Sequence, residues 1–329
     1  MCSAAAVAVA FGNRLLPTKR VNEVRAMKVL LPIDFSQSTE SVINSIERRP
    51  WPADTEIAVL HVVDTVSVAN GWVDLSPYIE SQTESAKGLV AAAAKRLLSK
   101  GLGVSEVVRC GYPPAVILDY ADKWGADLVV VGSHGLGALA RFLLGSVAKS
   151  LLQGAHCSVE IVRMPSTKET GAAMKILLAT DGSSYSQCAA RSIAERPWPK
   201  GTVVEVLAVA EVVTTAPDPW YASGQIAEGL QVERLKAAKE DAKSAGEILS
   251  NAGLKPLTKV VCGYPKASIL DEAKEWGAHL IVVGSHGRRG LKRLLLGSVA
   301  EAVALHSHCS VEVIRQQDAA PIESARSAG

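Results

Sequence analysis

The sequence predicts an α/β chain holding two doubly wound parallel sheets of five strands each, with helices on both faces. Three observations lead there. The chain repeats itself: Arg49-Pro50-Trp51-Pro52 returns as Arg196-Pro197-Trp198-Pro199, and Cys110-Gly111-Tyr112-Pro113 as Cys262-Gly263-Tyr264-Pro265. Within each copy, short runs of buried-strand character alternate with longer helical stretches. The composition is 48% apolar but only 5% aromatic, with Ala, Val and Leu dominant, as expected where helices pack on a parallel sheet. At 329 residues the chain has the length of two ordinary domains.

In the first copy, strands are expected at Lys28–Ile33, Glu56–Val63, Ser105–Cys110, Asp127–Val131 and Ser158–Val162. Between them, helices are expected near Ser38–Arg48, Ser81–Lys100, Pro114–Lys123 and Ser146–Gln153. The second copy repeats the plan. Its strands fall at Lys175–Thr180, Val203–Val209, Thr258–Val261, His279–Val283 and Ser310–Ile314, and its helices near Tyr185–Glu195, Ile226–Asn251, Ala267–Glu275 and Ser298–His306. The long helices carry apolar residues at three- and four-residue intervals, as in Leu235, Ala238 and Ala242. Early landmarks are offset by 147 (181 − 34, Asp34 to Asp181) and later ones by 152 (284 − 132, Gly132 to Gly284), so the second copy gains five residues between its second and third strands. The stretch Thr214–Gly224, with Pro217, Pro219 and Gly224, is one candidate for the gain and reads as a surface loop.

This divides the chain into a disordered leader 1–26, a first domain 27–163, a linker 164–173 with Pro165, Ser166, Thr167 and Gly171, a second domain 174–315, and a disordered polar tail 316–329. The leader is apolar from Ala4 to Phe11 but lacks the basic residues that precede a secretory core, and it is short of serine for an organelle presequence. It reads as a flexible leader, or as residues ahead of a start at Met27. No apolar run approaches the roughly 18 residues that span a bilayer. A net charge of +2 gives no argument for nucleic acid or an anionic membrane as partner. Cys110 and Cys262, like Cys157 and Cys309, occupy matching repeat positions, and no C-x-x-C pair or metal-ligand spacing is present, which suits a reducing cytoplasm.

Chemistry concentrates behind the fourth strand of each copy. Gly132-Ser133-His134-Gly135 is followed after nine residues by Gly145-Ser146, and Gly284-Ser285-His286-Gly287 after nine residues by Gly297-Ser298. Glycines let backbone amides approach phosphate oxygens, and a helix start offers free N–H groups and a favourable dipole to an anion. Across the crevice that such sheets open, the loop after the first strand carries Asp34 or Asp181, carboxylates able to accept from ribose hydroxyls. The plainer alternatives are that the aspartates cap the following helix and that the glycines only make a tight turn. His134 and His286 sit inside the motifs, where fixing the loop competes with an acid–base role; no nucleophile or carboxylate pair repeats beside them. The second spacer carries Arg288, Arg289, Lys292 and Arg293 where the first carries Arg141 alone, so the second site is expected to hold a triphosphate more tightly unless those cations stay solvated.

With these residues in view, the chain resembles a tandem universal stress protein from about Met27 to Arg315. The family's ATP-binding pattern G-x2-G-x9-G-[S/T] is met in both copies, and Pro32-Ile33-Asp34-Phe35-Ser36, Leu60-His61-Val62 and His156-Cys157-Ser158-Val159 also match its habits. The resemblance implies that Pro32 lines the site, that Asp34 and Asp181 contact ribose, and that the backbone of Val62 and Val209 meets adenine. It further implies that Gly132, Gly135, Gly145, Ser146 and Val147, with Gly284, Gly287, Gly297, Ser298 and Val299, hold the phosphates of ATP. Arg288 joins them, and Mg²⁺ enters with the nucleotide. It implies strand order 3-2-1-4-5 in each domain and pairing of the domains through their last strands into an intrachain pseudo-dimer, with further homodimerisation open. The second copy departs at Ala179 for Pro32 and Ala208 for His61, positions where the expected contacts are backbone. Three functions follow as expectations: a nucleotide-dependent regulatory module in stress response, a slow ATPase or phosphotransferase, and a purely structural pairing module. The missing G-x4-G-K-[S/T] pattern weighs against the second, and the twice-repeated full spacing against the third.

Overall fold

A computed structural model describes residues 26–66, 76–135, 144–163, 173–212, 223–288 and 296–316. The leader, nearly all of the linker, most of the Thr214–Gly224 stretch, Arg141, Arg289, Lys292 and Arg293, and the tail beyond Gln316 lie outside the described residues.

The apolar runs form β1 (Lys28–Pro32), β2 (Glu56–Asp64), β3 (Gly103–Gly111), β4 (Leu128–Gly132) and β5 (Ser158–Val162), and in the second half β6 (Lys175–Thr180), β7 (Val203–Glu211), β8 (Leu257–Gly263), β9 (Leu280–Gly284) and β10 (Ser310–Ile314). Between them stand α1 (Ser38–Glu47), α2 (Ser76–Leu98), α3 (Pro113–Trp124), α4 (Ser146–Gly154), α5 (Ser184–Ala194), α6 (Ser223–Asn251), α7 (Pro265–Trp276) and α8 (Ser298–His306). α2 begins five residues before its expected start at Ser81, because Pro77 falls in the first turn, where a missing N–H costs nothing. Pro113 and Pro265 open α3 and α7 in the same way, and Gly125 and Gly277 close them in the left-handed conformation, with φ of 70° and 72°. β4 and β9 run one residue further than expected and take in the first glycine of each motif.

The two five-stranded sheets join through their last strands, as the resemblance implies, into one. Ten strands lie in the order β3-β2-β1-β4-β5-β10-β9-β6-β7-β8, so each half runs third, second, first, fourth, fifth from its outer edge to the seam. Pairing within each half is parallel. At the seam β5 and β10 pair antiparallel, with Val311 opposite Ile161, Glu312 opposite Glu160 and Val313 opposite Val159. Each half reverses strand order beside its first strand, between β1 and β4 and between β6 and β9, which opens a crevice at the carboxyl ends of those strands.

Four apolar layers cover the two faces. α1 and α2 pack on one face of the first half through Val42, Ile46, Val90 and Leu97, while α3 and α4 cover the other through Ile117, Ala121 and Leu151. α5 with α6, and α7 with α8, repeat this on the second half. Leu152 of α4 belongs to the second half's layer, so the core crosses the seam. The buried stripe Ala86, Val90, Ala93, Leu97 of α2 corresponds to Ala238, Ala242, Ala245, Leu249 of α6 at the offset of 152. Glu211, at the end of β7, still matches Asp64 at 147. The five gained residues therefore lie between Glu211 and Ala238, in the interval that contains the suspected loop.

Candidate functional site

In each half a cavity opens where β1 or β6 stops short of its neighbour. In the first half Ile33 N donates to Leu60 O at 2.9 Å, the last such bond before the strands part. Backbone groups alternate sides along a strand, so Val62, two residues on, turns its N–H and C=O to the same side as Leu60, now into the crevice. Val209 takes that place in β7 (209 − 62 = 147). The first cavity has a volume of about 340 Å³ and the second about 500 Å³.

Every binding residue that the resemblance implies lines one of the two, while the remaining spacer cations lie outside the described residues. Pro32, Asp34, Val62, Gly132, Gly135, Gly145, Ser146 and Val147 meet in the first. Asp181, Val209, Gly284, Gly287, Arg288, Gly297, Ser298 and Val299 meet in the second. Ser146 and Ser298 are the first residues of α4 and α8. The N-cap of each is a glycine, Gly145 or Gly297, with no side-chain cap hydrogen bond. The amides of both N-cap glycines are spent on the loop, donating to Ser133 O and Ser285 O at 2.8 Å. The donors left at the cavity floor are therefore those of the first helical turn, Ser146 to Ala148 and Ser298 to Ala300.

The glycines serve packing as well as access. A Cβ on Gly132 would stand 2.5 Å from Ser38 Cβ, and one on Gly284 would stand 2.7 Å from the backbone carbon of Tyr185. The first glycine of each motif thus lets α1 or α5 lie against the end of β4 or β9. The aspartates also have two tasks. Asp34 Oδ1 accepts from Ser36 N at 3.0 Å and Asp181 Oδ1 from Ser183 N at 3.1 Å, both Asx turns leading into a helix. Asp181 Oδ2 also accepts from Arg288 N at 3.0 Å, clasping the motif loop from across the crevice.

The motif histidines are held by their neighbours. Ser133 Oγ lies 2.8 Å from His134 Nδ1, and Ser285 Oγ lies 3.1 Å from His286 Nδ1. His286 also rests on Tyr185 with ring centroids 4.9 Å apart. These contacts hold the loop. His61 is buried, and its Nδ1 stands 2.9 Å from Ile33 O; since a carbonyl only accepts, Nδ1 carries the proton.

Sequence reasoning missed several lining residues, Tyr78 and Gln82 in the first cavity and Arg234 and Asp241 in the second. Arg234, Ala238 and Asp241 follow one another at helical spacing beside the buried stripe of α6, the signal that an acid there looks inward. Asp241 pairs with the Arg288 guanidinium, and burial holds its carboxyl above the usual carboxylate range even so. Arg288, expected to offer its charge to phosphate, is thus matched by a carboxylate within its own cavity. Glu211 O accepts from Arg234 Nη1 at 2.9 Å.

Comparison with known proteins decides the affiliation. The family model described as the universal stress protein family matches residues 26–163 and again 173–315. The chain belongs to that family. A universal stress protein of Mycolicibacterium smegmatis is 30% identical over 299 residues, covering 87% of this chain and 96% of the relative. Another, from Mycobacterium tuberculosis, is 31% identical over 307 residues, covering 88% of this chain and 97% of the relative. Both relatives match across the two halves, so this is a tandem universal stress protein. Among solved structures, a universal stress protein from Archaeoglobus fulgidus aligns with a TM-score of 0.62 over 88% of this chain and 97% of its own, at 21% identity, and shares the fold. Among the described residues of this universal stress protein, no helix is long and apolar enough to cross a membrane, and none of its groups of acidic, Cys and His side chains is large enough to cage a metal ion.

Proposed function

We propose that this universal stress protein binds one adenine nucleotide in each half, with ATP as the ligand, and that occupancy regulates what its surface offers to a partner during stress. One repeated observation carries the reading: in both halves an uncapped helix N-terminus opens onto a cavity at the strand-order reversal, with an aspartate on the opposite wall. In this reading the backbone of Val62 and Val209 takes the adenine edge. Asp34 and Asp181 accept from the ribose hydroxyls. The amides of Ser146, Val147, Ser298 and Val299, the two serine hydroxyls, and the loops of Gly135 and Gly287 take the phosphates. Mg²⁺ arrives with the triphosphate, bound by phosphate oxygens and water. The two volumes suit a nucleotide-sized guest. All five cysteines among the described residues are free, in keeping with work in a reducing cytoplasm.

Calorimetric titration of the full chain with ATP, after denaturing and chromatographing a sample to identify any co-purified nucleotide, tests this. Two equivalents of ATP per chain are expected. No heat and no co-purified nucleotide would return the protein to a structural role. Steady phosphate release well above background would move it to the ATPase alternative.

A further inference from the structure

The two repeats differ at three positions that in the second half meet at the lip of the cavity. In the first half these are Phe35, Leu89 and, by the repeat, Leu136 (288 − 152); in the second they are Gly182, Asp241 and Arg288. The second set is spatially consistent. Gly182 takes a φ of +73°, and a Cβ there would meet Asp241 Oδ1 at 2.1 Å and Arg288 Nη2 at 2.7 Å. A side chain at 182 would therefore push the ion pair apart, and glycine makes room for it. Phe35, at the matching place in the first half, instead leans edge-to-face on His61 with ring centroids 5.3 Å apart. The lip of the second cavity is ionic.

The ionic lip faces the donors at the start of α8. Asp241, Arg288, Ser298 and Val299 line one cavity. Asp241 comes from α6, its side chain 15% exposed; Arg288 comes from the motif loop, its side chain 51% exposed and its own amide anchored on Asp181. Arg288 can swing about that anchor, whereas Asp241 is set into the helix packing.

Resting on the nucleotide reading above, we propose that Asp241 is a resident competitor for the ligand's phosphates: it holds the Arg288 guanidinium until a polyanion displaces it. A guanidinium bound by carboxylate or by phosphate makes the same forked hydrogen bonds, so the exchange needs no new geometry. Only a ligand carrying several phosphate charges gains by taking Arg288 over. A nucleoside leaves the pair intact. The second site is therefore the one that counts phosphates, and Asp241 sets its threshold. In the first half the repeat has Leu89 and Leu136 at these two positions, and neither can form an ion pair.

The test is titration of the full-length wild type, Asp241→Asn, Arg288→Gln and the double variant with ATP and, separately, with adenosine. Asp241→Asn keeps the shape and frees the cation. One of the two ATP sites is expected to tighten on the order of tenfold, with adenosine affinity unchanged within about twofold. Arg288→Gln should weaken ATP at the same site, and in its presence Asp241→Asn should have no further effect. ATP affinity unchanged or weakened in Asp241→Asn, while the wild type binds two equivalents, overturns the proposal and leaves the nucleotide reading standing. Equal tightening for adenosine and ATP overturns it too, since the effect would then be one of shape. A wild type that binds neither ligand removes both readings together.

Discussion

A single methyl group distinguishes the motif glycines from ordinary ones. Gly284→Ala would bring a Cβ to 2.7 Å from the Tyr185 backbone carbon and 2.9 Å from Ser186 N, and backbone cannot swing aside as a side chain can. The start of α5 must move, and the wall of the second cavity with it. We expect a loss of about 1–3 kcal/mol in denaturant unfolding, the range for overpacking, with weaker binding of the proposed nucleotide at that site. Gly229→Ala is the control. It lies exposed in α6 with open space around its Cβ, and it should gain about 0.5–1 kcal/mol from helix propensity. Equal effects from the two substitutions would remove the packing argument. This scale also shows where sequence reading succeeds. The spacing Gly132, Gly135, Gly145, Ser146 is legible because it is local in the chain, although the constraint on Gly132 comes from Ser38 of α1. The pair Asp241–Arg288 is not, since 47 residues separate its members and only the packed fold brings α6 to the motif loop.

Among the elements, the facing surfaces of β7, β8 and α7 hold a polar cluster with no parallel in the first half. Glu205, Glu272 and Lys259 stand where the repeat places Ala58, Tyr120 and Val107. Glu205 is 6% exposed and its Oε1 has no hydrogen-bond partner; Lys259 Nζ lies 2.5 Å from Glu272 Oε2. Burial, and then the neighbouring Glu272, push the Glu205 carboxyl up to about 7, with Lys259 and Lys175 pulling the other way. A raised acid binds its proton more tightly folded than unfolded. Its folded form is favoured while it stays protonated, and that advantage is lost as pH rises from the ordinary carboxyl range through about 7. Glu205→Gln should therefore leave stability unchanged near pH 4 and raise it by about 3 kcal/mol at pH 8, flattening the decline between. Thermal unfolding at both values checks it, and an identical pH slope in wild type and variant would refute it. The strand itself was readable as an apolar run, but the acid's depth was not. Alternation would have put a lone Glu toward water. The same holds for Glu160 in β5, which is buried against Arg49 from 111 residues away, with Nη2 at 3.1 and 2.8 Å from its two oxygens.

In the whole molecule, the seam decides whether the halves behave as one body. Glu160 and Glu312 face each other across β5 and β10, a like-charged pair buried to 2% and 1% exposure. Each is neutralised from its own half, Glu160 by Arg49 and Glu312 by Arg196, whose Nη2 stands 2.9 Å from Glu312 Oε2. Those arginines stack on Trp51 and Trp198 at 5.1 and 5.0 Å, so each repeated Arg-Pro-Trp-Pro segment holds its own half's counter-charge in place. Two further arginines cross it. Arg163 Nη2 donates to Ala304 O and Leu305 O at 2.8 and 3.1 Å, and Arg315 Nη2 to Leu152 O and Gln153 O at 2.8 and 3.4 Å. Each half thus places a cation at the carboxyl end of the other half's last helix, where the dipole is negative and carbonyls lack partners. Removing Arg49 would leave Glu160 buried without its counter-charge, a change that costs about 3–5 kcal/mol within the first half. Removing the crossing pair acts between the halves instead. Arg163→Met with Arg315→Met keeps most of the apolar stem and deletes only the bonds that cross. Calorimetry of that double variant should resolve two unfolding transitions, against a single one expected for the wild type, while Arg49→Ala should lower the transition temperature without losing cooperation at the seam. A double variant that still unfolds in a single transition at the wild-type temperature would mean that the β5–β10 ladder and Leu152 couple the halves on their own, with the arginines only filling space.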